Sequence, residues 1–314
     1  MKLQQLRYLA EVARRELSVS AAADALHTSQ PGVSRQIKDL EDELGVEIFV
    51  RHGKRLTAVT EPGRAVLAIA ERILAEAANL KRAGEEFAHG KLGSLIIATT
   101  HTQARYALPK AVAAFKRSYP DVQLVIHQGN PTQICEMVLQ GEADFAIATE
   151  QIAEVAGLVS LPCYRWNRCV VVPAGHPLAR VKPLTLEAVA RYPVVTYDFA
   201  FANRSLVEKA FEQRGLAPKV VLTALDADVI KTYVELGLGV GIMASMAFDA
   251  KRDRGLKALD ASHLFESSTT RLGIKRGAYL RRYAYDFIES FVPHLPRSIV
   301  EPAVTGAEGS RYEL

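Results

Sequence analysis

Residues 18–45, SVSAAADALHTSQPGVSRQIKDLEDELG, constrain the fold more than any other stretch. Ser18 reads as the N-cap of a short helix that packs through Ala22, Ala23 and Leu26. The "HTS" that follows is a three-residue turn. Ser29 then caps a second helix, with Pro31 in its first turn, where a missing N–H costs nothing. Val33, Ile37, Leu40 and Leu44 recur at steps of 4, 3 and 4 and predict one buried stripe. Gln30, Pro31, Ser34, Arg35 and Lys38 occupy the opposite face. Two helices joined by a tight turn, the second with a polar and basic outer face, describe a helix-turn-helix. The plainer alternative is an amphipathic helix with a solvated polar face, and the flanking segments argue against it.

On the N-terminal side, LQQLRYLAEVARR places Leu6, Leu9, Ala10 and Ala13 on one helical face. On the C-terminal side, VEIFVRHGKRLTAVT reads as two short strands around a turn at Gly53. Arg51, Lys54 and Arg55 lie at the tip of that hairpin, as in a wing that meets phosphates beside the groove. Net charge does not announce nucleic acid, because residues 1–90 hold 13 Lys+Arg against 13 Asp+Glu. The charges segregate instead. Asp39, Glu41, Asp42, Glu43 and Glu47 precede Arg51, His52, Lys54 and Arg55. The predicted DNA-contacting set is Ser29, Gln30, Pro31, Ser34, Arg35, Lys38, Arg51, Lys54 and Arg55.

The order AA-x-x-L-x-x-S-Q-P-x-x-S-x-x-I-x-x-L-E-x-x-L-G, followed by F-x-R and a basic hairpin, resembles the LysR-type transcriptional regulators. The match runs through AADALHTSQPGVSRQIKDLEDELGVEIFVRHGKRLTAVTEPG.

Thr60 and Pro62 open a long helix in which Val66, Ile69, Ile73, Ala77, Leu80, Gly84 and Phe87 step by 3, 4, 4, 3, 4 and 3. That is close to a heptad seam. Such a helix does not stand alone in water, so the seam predicts a homodimer, the alternative being packing on its own domain. HGKLG at 89–93 reads as a hinge.

From Gly93 the pattern changes to alternating strands and helices. SLIIAT, VQLVIHQG, ADFAIATE, RCVVVPAGHP, YPVVTYDFA, KVVLTAL, VGIMAS and LGIKRG read as strands. Helices are predicted around YALPKAVAAFKRSYP, PTQICEMVLQG and DADVIKTYVELG, with a last one near YLRRYAYDFIESFVPHL on the outside and a loose tail after Pro302. Alternation of this kind implies largely parallel sheets covered on both faces. The expected organisation is a winged helix-turn-helix over 1–60, a linker helix over 61–90 and an α/β effector region over 91–314. The effector region divides into two Rossmann-like subdomains, about 91–163 with 266–300 and about 164–265, with a cleft between them.

In open α/β sheets, ligands sit beyond the carboxyl ends of the strands. Three such ends carry polar groups: Thr99–Gln103, His127–Asn130 and Thr149–Glu150. Hydroxyls, an amide and a helix N-terminus make an oxyanion trap, the alternative being turn and cap hydrogen bonds. His101 is the one candidate base there, and alternation about an extended loop turns it away from the rim.

IATTHTQARYALP, HQGNPTQI, ADFAIATE and DADVIKTYVELGLGVGIMA resemble the CysB-like subgroup of the LysR family, which governs sulfur and cysteine metabolism. The resemblance covers nearly the whole chain. It implies an effector domain of the periplasmic-binding-protein type and a tetramer built as a pair of dimers. It also implies a site for sulfate, thiosulfate or an acetylserine-like anion at Thr100, Thr102, Gln103, Thr149 and the position of Ala202. In TYDFAFANR this chain has Ala202 and Asn203 where the pattern has Thr and Gly. One anion hydrogen bond is thereby removed, worth roughly 0.5–1.5 kcal/mol.

Other function classes find less support. G-x-S-x-G and P-loop patterns are absent. GLGVG at 237–241 lacks the dinucleotide spacing and follows a helix rather than a strand; Gly237 reads as a helix C-cap. Eight scattered histidines and three cysteines, Cys135, Cys163 and Cys169, give no metal spacing and no CxxC, so no cofactor is expected. No apolar run is long enough to cross a membrane, and the N-terminus has no signal-peptide core, so a cytoplasmic location is expected. The remaining alternatives are an α/β enzyme with an accessory DNA-binding domain and the solute-binding component of a transporter.

Overall fold

The computed structural model describes residues 1–53, 55–89, 92–198 and 206–306. It divides into two compact units, Met1–Ala88 and His89–Leu314.

The first unit is helical with a wing. Helices α1 (Leu3–Arg14), α2 (Val19–Ala25) and α3 (Gln30–Leu44) precede a hairpin of β1 (Phe49–His52) and β2 (Arg55–Val59), and α4 (Glu61–His89) follows. Ser18 caps α2 by accepting from the Ala21 N–H, and Ser29 caps α3 by accepting from Gly32. Leu6, Leu9, Val12, Ala22, Val33, Ile37 and Leu40 form the core with Ile48 and Phe49. Leu44 leaves the predicted stripe: it is 40% exposed in the last turn of α3, just before the left-handed Gly45. Thr60 fastens α4 to the wing by donating to Glu47 O (2.6 Å) and accepting from Gly63 N (2.9 Å). Gly63 has to be glycine, since a Cβ there would lie 2.1 Å from Ile48 O.

The linker seam is only partly as expected. Ala70 is buried, and Val66, Leu67, Ile73 and Leu74 pack against the winged-helix core. Ile69, Leu80 and Phe87 are 48%, 76% and 88% exposed. The first half of α4 therefore completes its own domain, and the second half leaves Leu80 and Phe87 exposed.

The second unit holds two five-stranded sheets. β3 (Gly93–Thr99), α5 (Pro109–Ser118), β4 (Val122–Gln128), α6 (Pro131–Gln140), β5 (Phe145–Ala148) and β6 (Leu158–Trp166) lead to the first crossing. The second subdomain contains β7 (Arg168–Pro173), α7 (Leu186–Val189), β8 (Val194–Tyr197), α8 (Leu206–Glu212), β9 (Val220–Ala224), α9 (Ala227–Glu235), β10 (Val240–Ala244) and β11 (Leu256–Asp260). The chain returns to the first subdomain in β12 (Ser268–Lys275) and ends in α10 (Arg282–Phe291) and α11 (Arg297–Thr305). The strand orders are β4-β3-β5-β12-β6 and β11-β7-β10-β8-β9.

The sheets are mixed rather than largely parallel. β3 runs parallel to β4 and β5, but β12 is antiparallel to β5 and β6. In the second sheet β8 is parallel to β9 and β10, while β7 is antiparallel to β10 and β11. The cause is the double crossing: β6 leaves for the second subdomain and β12 comes back beside it, so the two run in opposite senses.

The C-terminal expectation also changes. Tyr283, Ala284, Phe287 and Ile288 of α10 belong to the core of the first subdomain. α11 continues through Pro302, with Ala303 and Val304 buried and the left-handed Gly306 closing it. Burial of those side chains offsets the backbone hydrogen bond that a proline removes.

GLGVG has a packing role. Gly237 adopts φ +81° after α9, and a Cβ on Gly239 would lie 2.2 Å from Pro193 O. Both glycines serve the turn from α9 into β10.

Candidate functional site

Two sets of side chains qualify, one in each unit. In the first unit, Gln30, Pro31, Arg35 and Lys38 are exposed along α3, with Ser34 half-buried beside them. Ser29 is exposed, and its hydroxyl caps the helix. Lys38 pairs with Asp42 at 3.0 Å, and that hydrogen bond and charge raise its pKa. Arg35 and Arg55 are exposed and engage no acidic partner among the described residues. Lys54 lies outside the described residues.

Arg51 is tied down. Its Nη2 lies 2.9 Å from Glu41 Oε2. Glu41 is 3% exposed, and its other oxygen accepts the backbone N–H groups of Ile48 (2.9 Å) and Phe49 (3.2 Å). One carboxylate thus joins α3 to the start of the wing. The sequence pattern places Glu41 in an acidic surface cluster and does not reveal this role. Its position next to Leu40, at the edge of the apolar stripe, is the available signal.

In the second unit, β3, β4 and β5 lie side by side and parallel, so their carboxyl ends form one rim. Thr99 is buried and donates to Ile147 O at 2.7 Å, joining β3 to β5 at that rim. Thr100 and Thr149 follow these two strands, are half-buried, and engage no partner through their hydroxyls among the described residues. Asn130, at the third strand end, caps α6 reciprocally with Gln133.

After Thr100 the backbone is helical. His101 and Thr102 lead into a π-helical turn, Gln103–Ala107, and the αR residue Leu108 connects it to α5. The first N–H groups of such a segment have no intrahelical acceptor, and they belong to the residues that follow Thr100. The extended loop expected here is absent. His101 faces the second subdomain, with Nε2 3.7 Å from Asp228 Oδ2.

The structure separates the predicted rim residues. Gln103 is 1% exposed, and its amide is engaged on both sides. Its Nε2 donates to Thr270 Oγ1 at 3.1 Å and its Oε1 accepts from the Tyr164 hydroxyl. Thr102 hydrogen-bonds Tyr197 of the second subdomain. Burial, opposed by that bond, raises the Tyr197 pKa, so the phenol is neutral at ordinary pH. Ala202 and Asn203 lie outside the described residues.

Arg168, which the sequence pattern does not single out, joins the two crossings. It donates to Glu266 O (3.1 Å) and Ser268 Oγ (2.9 Å), and its guanidinium stacks 5.1 Å from the Trp166 ring centre. Burial lowers its pKa but leaves it charged. Glu150, next to Thr149, and Tyr197 both feel that charge.

The chain matches known proteins along nearly its whole length. Residues 3–64 match the family "Bacterial regulatory helix-turn-helix protein, lysR family", and residues 88–296 match "LysR substrate binding domain". The chain is 56% identical to the HTH-type transcriptional regulator CysB of Burkholderia cenocepacia over 314 residues, all of both chains. It is 56% identical to the regulator SsuR of the same organism over 295 residues, 94% of this chain and 96% of that one. Among solved structures, the cofactor-binding domain of the Cbl transcriptional regulator superposes with a TM-score of 0.66 at 42% identity. That match covers 68% of this chain and 94% of the other. A full-length OxyR variant from Pseudomonas aeruginosa shares the fold at a TM-score of 0.64 and 23% identity, over 93% of this chain and 94% of that one.

These relatives regulate transcription, so the alternatives of an enzyme and of a transporter component fall away. A helix-turn-helix with a wing, a long linker helix, and a two-subdomain α/β unit with a polar rim therefore have one reading: the chain belongs to the LysR family of bacterial transcriptional regulators.

Proposed function

We propose that this regulator controls genes of sulfur assimilation, cysteine biosynthesis or sulfonate use, and that a small oxyanion held at Thr100 and Thr149 is its effector. Sulfate, thiosulfate and an acetylserine are the candidates. The sulfur assignment is supported by the resemblance to the CysB-like subgroup and by relatives named CysB, SsuR and Cbl. The observation that carries the site is the pair of hydroxyls, unengaged among the described residues, on adjoining parallel strand ends, with a helical N-terminus directly after Thr100. Thr102 and Gln103 shape this rim from behind, through Tyr197, Tyr164 and Thr270. The group contains hydroxyls and backbone donors and no paired nucleophile and base, so it binds without transforming.

Thr100→Ala and Thr149→Ala should each weaken binding by about 1–2 kcal/mol, roughly 5- to 30-fold, because each removes a donor from a desolvated anion. Calorimetric titration with sulfate, thiosulfate and acetylserine measures this. Unchanged affinities in both variants would put the effector elsewhere.

Gln30 and Arg35 are assigned to base edges in promoter DNA, and Lys54 and Arg55 to phosphates. Arg35→Ala should relax sequence preference, whereas Arg55→Ala should weaken specific and random DNA alike and lower the salt slope by about one. Equal losses on both DNAs for Arg35→Ala would refute the division. The place of action is the cytoplasm, with the promoter, and no described helix is long and apolar enough to cross a membrane.

The working form is a homodimer joined along the linker helix and paired into a homotetramer. Exposed Leu80 and Phe87 on α4 support the first contact. Exposed Leu225, Val229, Tyr233 and Leu236, clustered around α9, support a second, since clustered exposed apolar side chains mark interfaces.

A further inference from the structure

A second polar cluster sits where the π-helical turn of the first subdomain meets α9 of the second. Asp228, in the first turn of α9, is its centre. From the first subdomain, Arg105 Nε approaches Asp228 Oδ2 at 2.8 Å, the Tyr106 hydroxyl donates to Oδ1 at 2.7 Å, and His101 Nε2 lies 3.7 Å away. From the second, Lys231 Nζ lies 3.2 Å from Oδ1. Lys231 is 8% exposed and also donates to Tyr106 Oη (3.1 Å), Ala247 O (3.0 Å) and Asp253 Oδ1 (3.1 Å).

We propose that His101, Arg105 and Tyr106 of the first subdomain and Asp228 and Lys231 of the second form a latch that holds the effector unit closed over the rim.

Three features carry this. The contacts join different subdomains, and Tyr106 both donates to Asp228 and accepts from Lys231, so the hydroxyl bridges two charges. The Tyr106 ring packs into the apolar cluster of the second subdomain, with Ala227, Ile230 and Val234. Opening the cleft withdraws both the ring and its hydroxyl. Lastly, His101 stands between Thr100 and Thr102, so the latch begins one residue from the rim. Burial opposes the charge on Asp228, but the bonds from Tyr106 and Lys231 and the charges of Lys231 and Arg105 outweigh it and hold the carboxyl below its ordinary pKa.

Exposed ion pairs are individually weak. Here one carboxylate takes the Tyr106 hydroxyl and pairs with two cations, Arg105 and a nearly buried Lys231, with His101 3.7 Å away, and such networks are worth more than their separate pairs. A polar clasp also releases without exposing a large apolar face, which suits a reversible sensor.

The test needs no effector, so its failure is separable from failure of the effector assignment. Spin labels at Glu289→Cys on α10 and Lys219→Cys before β9 report the distance between subdomains in full-length chains diluted with unlabelled ones. The native cysteines are buried. Wild type should give one narrow distance. Asp228→Asn and Tyr106→Phe should each broaden it toward longer values, as should high salt, while Asp228→Glu should restore most of the narrow population. Tyr106→Phe removes a single oxygen and decides the matter if Asp228→Asn fails to fold. Distributions indistinguishable from wild type in folded Tyr106→Phe, whatever Asp228→Asn does, would overturn the latch.

Discussion

Glu41→Ala should destabilise the N-terminal unit by about 2–6 kcal/mol, because it strands two buried backbone donors. The carboxylate is 3% exposed and accepts three donors, the N–H groups of Ile48 and Phe49 and the guanidinium of Arg51. Alanine leaves two buried backbone donors without an acceptor, each costing about 1–3 kcal/mol, and frees the arginine to solvent. Arg51→Ala should also destabilise, because it leaves the buried Glu41 carboxylate without its cation, but Glu41 keeps both backbone partners and the loss should be smaller. Calorimetry of the full-length chain should show the N-terminal transition falling for Glu41→Ala, with the effector-unit transition unmoved. DNA binding should fall with it, because the wing is fixed to α3 through this group. A transition within about 1 kcal/mol of wild type would mean that water replaces the carboxylate at little cost.

The contrast between Glu41 and its neighbours shows what is legible in the sequence. α2, the turn, α3 and the wing are readable because their signals are local: Ser18 and Ser29 cap at short range, and Val33, Ile37 and Leu40 repeat with the helical period. Glu41 makes its contacts seven to ten residues away, across a strand boundary that periodicity does not describe. Longer separations hide more. Gln103 looks like a rim residue until Thr270, 167 residues later, arrives on β12 to take its amide. Tyr106 and Asp228 are 122 residues apart, and only the double crossing of the chain brings them together. The same crossing makes the sheets mixed, because a returning strand has no periodicity that marks its direction. Strand ends are easier to place. Apolar runs finish in polar residues, and parallel neighbours bring Thr100 and Thr149 to one edge.

The linker helix needs both kinds of reasoning, and it carries the other large effect. Ile73, Leu80 and Phe87 are spaced by sevens, so the sequence treats them as one seam. The structure divides them: Ile73 packs on the winged-helix core, while Leu80 and Phe87 are 76% and 88% exposed. An Ile73→Asp variant would therefore unfold its own domain and say little about assembly. Leu80→Asp is the informative change. Burying a leucine contributes about 1.5–3 kcal/mol, and in a two-fold seam the loss occurs in both copies. Two facing aspartates add like-charge repulsion and desolvation to that loss. The linker contact should therefore fail, with the N-terminal unit still folded. For the proposed tetramer, sedimentation should show a species half the wild-type size, held by the proposed contact between effector units. Affinity for a two-half-site promoter should drop by orders of magnitude, while affinity for a single half-site stays near wild type, because only the coupling between recognition helices is lost. Unchanged size and unchanged two-site affinity would mean that the exposed stripe on α4 serves another contact, and that copies meet elsewhere.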